Sequence, residues 1–182
     1  MARLDRNQWI QAAFDALCDG GADALRVEPL AKRLGVTKGS FYWHFPNRRS
    51  LHEAMLEAWE DIGTSAIIDV VDAKAADPAG RVRALAHLTM TLPGRGAAIE
   101  ASLRSWAAND SEVATVLKRV DGRRVGYVVD LLKAHGLTTE RARTRAELLY
   151  RAVIGEFAWR HSGADMVEAA QIDEFVDLLV SD

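Results

Sequence analysis

Apolar positions recur at spacings of three and four along almost the whole chain, and the β-branched residues are scattered instead of gathered into alternating runs. That pattern predicts an all-α protein. A first helix over residues 5–19 places Trp9, Ala12, Ala13 and Leu17 on one side and ends at Gly20 and Gly21. A short helix over 28–34 follows, with Pro29 in its first turn, where a missing N–H costs no intrahelical bond. Gly35 stops it. Thr37 then caps a third helix over 38–44, and Pro46 with Asn47 separates this from a long amphipathic run that opens near Arg48.

Beyond residue 50 the helices lengthen. Met55, Trp59, Ile62, Ala66 and Val70 form one stripe, closed around Asp77, Pro78 and Gly80. A short helix is expected over 81–91, a break at Pro93, Gly94 and Gly96, and then a helix carrying Ile99, Leu103 and Trp106 as far as Asn109 and Asp110. Val113, Val116, Leu117, Val120, Tyr127, Val128 and Leu131 define the next, which Gly136 ends. Over 140–161 there are two apolar lines, one of Ala142, Ala146, Leu149 and Val153 and the other of Leu148, Ala152, Gly155 and Trp159. One line packs on its own domain, and the other needs a further cover, which a second copy of the chain supplies economically. A last helix with Ile172, Phe175, Val176 and Leu179 completes a four-helix contact of two helices per subunit. Leu149, Ala152, Gly155, Trp159, Phe175 and Leu179 are the expected homodimer interface; burial of both faces within one protomer is the alternative.

Composition narrows the class without changing the fold. The chain has 182 residues, 49% hydrophobic and 27% charged, with 4 Pro, as an ordered globular protein has. Charges interrupt every apolar stretch and no apolar core with a cleavage site follows residues 1–6, so neither a membrane anchor nor secretion is expected, and the address is cytoplasmic. Cys18, the single cysteine, is expected to act as a small core hydrophobe. The charge is uneven. Residues 1–50 hold eight Lys or Arg against five Asp or Glu, so the overall −3 leaves −6 for residues 51–182. A basic module at 1–50 that meets a polyanion, carried by a body at 51–182 that does not, accounts for the asymmetry.

The specific chemistry lies at residues 27–46. A helix-turn-helix needs a small residue where its helices cross, a Gly in the turn and apolar anchors that fix the second helix. Ala31, Gly35 and the set Leu30, Leu34, Val36 and Phe41 meet these needs in order. Such a unit directs the start of its second helix into the DNA major groove, which sets Lys38, Gly39, Ser40 and Trp43 near base edges. Thr37, Tyr42, His44 and Arg48 flank that helix within reach of phosphates.

This stretch resembles the DNA-binding domain of the TetR (tetracycline-repressor) family of bacterial transcriptional regulators. The likeness is carried by Leu30-Ala31, Leu34 to Thr37, Phe41 to Phe45, and Arg48 with Leu51; it covers about a quarter of the chain, and Trp106 with Asp110 also matches a recurrent family pattern. The resemblance implies an Ω-shaped homodimer of about nine helices per subunit, double-stranded palindromic operators and a variable pocket for a small-molecule effector that releases a repressor from DNA. Two positions depart from the family pattern. Arg48 stands where Lys is common, and Arg49 stands where an acidic residue is common, which puts a second cation in the first turn of a helix against its dipole.

The resemblance also directs attention to large side chains in the body. Trp59, Met90, Trp106 and Tyr127, with His87 and Arg104 as polar contacts, are the expected effector residues, although Glu100 and Arg104 at i and i+4 also read as an exposed ion pair. Enzyme motifs fail on spacing. His52-Glu53 lacks a second His at Leu56, no Glu precedes a His by three, and Ile99 replaces the third Gly of a dinucleotide loop opened by Gly94 and Gly96. No phosphate loop or nucleophile elbow occurs. Neither catalysis, a metal nor a cofactor is expected. An all-α binding protein or enzyme without a specific operator, and an activator of the same fold, are the alternatives to a repressor.

Overall fold

The computed structural model describes residues 4–91 and 94–181. Among them the secondary structure is helical: α1 (Arg6–Gly20), α2 (Val27–Arg33), α3 (Lys38–Tyr42), α4 (Arg48–Glu60), α5 (Ala66–Lys74), α6 (Pro78–Met90), α7 (Gly94–Ala107), α8 (Ser111–His135), α9 (Thr139–His161) and α10 (Ala169–Val180). A π-helical segment, Asp61–Ser65, joins α4 and α5 without interruption, so these form one rod. Within the described residues no helix is long and apolar enough to cross a membrane.

The ends of these helices follow their sequence. Asp5 caps α1 by accepting from the Gln8 N–H at 2.8 Å, and Gln8 returns the bond to the Asp5 N–H. Asp110 caps α8 through the N–H groups of Glu112 and Val113 while its other oxygen accepts from the Trp106 indole at 3.2 Å. The Trp106–Asp110 pattern is therefore the joint between α7 and α8. Thr37 takes the N-cap position of α3 but makes no capping bond, contrary to expectation.

Three expected features of the body are corrected. Asp77 and Pro78 open α6 instead of closing the preceding helix: the Asp77 carboxylate accepts from the Gly80 N–H, and Pro78 is suited to the first turn. Gly94 and Gly96 lie inside α7 and do not break it; Pro93, expected to break the chain with them, lies outside the described residues. The stripe through Ile62, Ala66 and Val70 also fails. Ile62 is 62% and Val70 41% exposed, while Thr64 and Val71 are buried. The π segment inserts one residue into the helical register, which carries the buried face one position on.

Two cores result. One joins Trp9, Phe14, Phe41, Phe45, Leu51, Met55 and Trp59 to Leu103, Trp106 and Leu117 of the body, so the N-terminal helices are packed on α7 and α8. The second gathers Val82, Leu132, Ala146, Leu149, Ile172 and Val176 from α6, α8, α9 and α10. Residue 50 falls within α4, which runs through the expected boundary between the two modules.

Candidate functional site

Two features stand out, an exposed helix-turn-helix and a cavity in the body. The turn after α2 is closed by the Val36 N–H donating to the Ala31 carbonyl at 3.0 Å and the Gly35 N–H to that of Lys32 at 3.2 Å. This closure requires a left-handed residue, and Gly35 supplies it at φ 67°. Leu30 and Phe41 are fully buried, and Phe41 meets Trp9 of α1 edge to face with centroids 5.3 Å apart. With Phe41 and Phe45 turned inward, Thr37, Lys38, Gly39, Tyr42, Trp43 and Arg48 are exposed, and Ser40 and His44 are half-buried. All eight residues expected at DNA thus lie on α3 and the segments that flank it. Trp43, at 77%, is the most exposed large apolar residue described.

The charges near this unit are arranged, not merely present. Lys38 is ion-paired with Glu28 of α2. Arg49, the cation set against the dipole of α4, meets Glu53 at 3.1 Å and Glu112 of α8 at 3.2 Å, so acidic neighbours offset it and tie α4 to the body. His52, on the next turn, lies edge to face against Trp106 at 4.7 Å. Burial, helped by Arg48, pushes its imidazole below the usual histidine value.

The cavity, of about 460 Å³, lies among α1, the α4–α5 rod and α6 to α9. Most of its wall is apolar, from Phe14 of α1 to Ile67, Ile99, Val153 and Phe157. A polar patch interrupts it. Glu100, only 4% exposed, accepts from the Trp59 indole at 2.9 Å, from Arg104 at 2.6 Å and from Arg124 at 3.2 Å. Arg124 also donates to Thr64 of the π segment at 2.9 Å and lies 4.7 Å over the Trp59 ring. Behind them Asp121 accepts from Arg104 and Tyr150. Burial alone would raise the Asp121 pKa, but Arg104 and Tyr150 hold it below the usual carboxylate value. Burial pushes the Tyr150 phenol up to about 12, so it remains a donor.

Of the six side chains expected at an effector, the fold brings Trp59 and Tyr127 to this cavity. Arg104 stands behind the wall as a partner of Glu100. The other three lie elsewhere: His87 pairs with Asp173 of α10 at 2.8 Å, Met90 fills the second core and Trp106 the first. The exposed Glu100–Arg104 pair is corrected to one in which Glu100 is buried and Arg104 half-buried. Glu100 carries a signal that periodicity contains, because it falls three residues from both Ala97 and Leu103 and so shares their buried face. Gln11 and Phe14 on α1, which no motif marks, also line the cavity.

At the far side, Trp159 is 66% and Leu148 49% exposed, Gly155 is exposed, and Ala152 and Phe175 are half-buried. Leu149 and Leu179 face into the protomer, Leu149 toward the cavity.

An outward-facing helix-turn-helix packed on an all-α body with an internal cavity defines the class of this molecule. Residues 10–55 match the family described as bacterial regulatory proteins, tetR family. Over 58 residues the chain is 47% identical to the class A tetracycline repressor protein from transposon 1721 of Escherichia coli, a match that covers 32% of this chain and 27% of the repressor. The chain thus spans about a quarter of the length of the curated relatives it matches. Its whole fold is similar to that of the transcriptional regulator FadR from Bacillus subtilis in complex with stearoyl-CoA, with TM-score 0.73 and 16% identity, covering 97% of this chain and 98% of that one. It is also similar to AibR in complex with isovaleryl coenzyme A and operator DNA, with TM-score 0.72 and 19% identity over 96% and 97% of the two chains.

Proposed function

We propose that this protein is a dimeric, cytoplasmic transcriptional regulator, a repressor that holds a palindromic DNA operator through α3 and leaves it when a small molecule fills the cavity. The observation that carries this reading is the sharing of α1. Trp9 on α1 anchors α3 through Phe41, while Gln11 and Phe14 on the same helix line the cavity. A ligand that moves α1 therefore moves the recognition helix. The tetracycline repressor and the AibR–operator complex support the DNA half of the reading through the matched N-terminal segment and the fold, respectively.

The protein's role is binding, not catalysis. In the cavity Glu100 and Arg124 are locked to each other, which suits recognition of a largely apolar molecule. The exposed line of Leu148, Gly155 and Trp159 fits a second copy of the chain, whose two recognition helices then meet two half-sites.

Fluorescence anisotropy of a labelled duplex of arbitrary sequence tests the DNA-binding half of the function. Binding in the micromolar to submillimolar range that weakens steeply with salt is expected, since phosphate contacts release counterions. Absence of duplex binding at low salt overturns the proposal.

A further inference from the structure

The charged side chains that line the cavity are Arg95, Glu100 and Arg124. Glu100 is saturated by Trp59, Arg104 and Arg124, and Asp121 by Arg104 and Tyr150, so two carboxylates and two guanidiniums close on themselves. Arg95 differs. It stands at the start of α7 with its side chain 57% exposed, and it reaches across to α1, donating to Asp15 at 2.7 Å and to Gln11 at 3.0 Å. Asp15 is outside the cavity lining while Arg95 is inside it, so the charge that the wall presents to an occupant is positive.

We propose that the occupant is an amphiphile with an apolar body and one carboxylate head, and that the head binds Arg95 in place of Asp15. The inference rests on the reading of the cavity as the effector site and adds the chemical class of the effector. A carboxylate can take both guanidinium N–H groups in the fork geometry that Arg favours. Both N–H groups of Arg95 Nη2 are already taken, by Asp15 and Gln11, and either fork of a guanidinium uses one of them, so a head bound in the fork competes with these partners on α1. The head therefore prefers the state in which α7 has let go of α1, and this difference in affinity is what lets a ligand shift a conformational equilibrium. A cationic head meets Arg95 as a like charge and gains nothing from the closed Glu100 cluster. A neutral head gains only the apolar wall.

Calorimetry with octanoate, 1-octanol and octyltrimethylammonium on the full chain tests the proposal. Octanoate is expected to bind at least tenfold more tightly than octanol, and the cation most weakly. Arg95→Ala should bring octanoate within twofold of octanol. Asp15→Asn removes the competitor and should tighten octanoate several-fold, a change of opposite sign that loss of folding cannot imitate. If octanol binds as well as octanoate, or Asp15→Asn fails to tighten octanoate, the carboxylate assignment is wrong while the cavity remains an effector site. If none of the three probes binds, both the assignment and the reading of the cavity fall.

Discussion

Single residues around α3 divide into those that fix the helix and those that it displays. Arg48 and Tyr42 stand where phosphates are expected, so Arg48→Ala should weaken binding to every duplex and lower the salt slope by about one, and Tyr42→Phe should weaken it without altering preference. Lys38→Ala should instead change which bases are preferred, once Glu28 has given the ammonium up to the groove. Operator titrations across salt concentrations check all three. His52 acts on stability. Its depressed value in the fold means that the unfolded chain takes up the proton first, so stability falls as pH drops from about 6.5 through the lower folded value. His52→Phe keeps an aromatic edge against Trp106 and removes the titration, so its urea midpoint should change less than the wild type's between pH 7.5 and 5.5. An equal change in both proteins would contradict this role.

At the scale of elements, the π segment is the least regular part of the body and lies on the cavity wall. Gly63 leaves room there for the Arg124 guanidinium, because a Cβ at this position would come within 3.0 Å of Arg124 Nη2. That guanidinium is held by Thr64, Glu100 and Trp59 and has little freedom to retreat. Gly63→Ala should therefore cost about 1–3 kcal/mol from overpacking, whereas Gly122→Ala, in open space on α8, should gain up to about 1 kcal/mol from helix propensity. Urea denaturation distinguishes them, and stabilisation by both would show the segment to be unconstrained.

The same segment shows where sequence ran out. Caps such as Asp5 and the reversal at Gly35 are local, so their residue types mark them directly. A one-residue insertion into a helix has no such marker, so the stripe that periodicity predicts through Ile62 and Val70 lies off the buried face, which carries Thr64 and Val71. The cavity was legible only in part for a related reason. Trp59 and Tyr127 are conspicuous by size, but Glu100 and Arg124 owe their burial to partners from other helices, and Gln11 reaches the wall through tertiary packing alone. The crossing, turn and anchors of the helix-turn-helix were legible because they fall within about twenty consecutive residues, whereas the cap expected of Thr37 is not made.

For the whole molecule, the proposed function depends on two copies acting together. Trp159→Glu places a charge at the centre of the proposed interface without entering either core, so sedimentation should show a folded protomer in place of a dimer, and operator affinity should collapse with it. A folded variant that stays dimeric would move the interface elsewhere. Leu149→Glu is a poor test of the same point, since Leu149 faces the cavity and its replacement disrupts the protomer.

The most direct test of the central claim is to sequence the duplexes that the protein retains from a random pool. The account predicts enrichment of one palindrome whose half-sites repeat at about a helical turn or a multiple of it, roughly 10 base pairs, as two copies of α3 related by a twofold axis require. Retention of duplexes with no shared sequence, or of a single site without twofold symmetry, would contradict it.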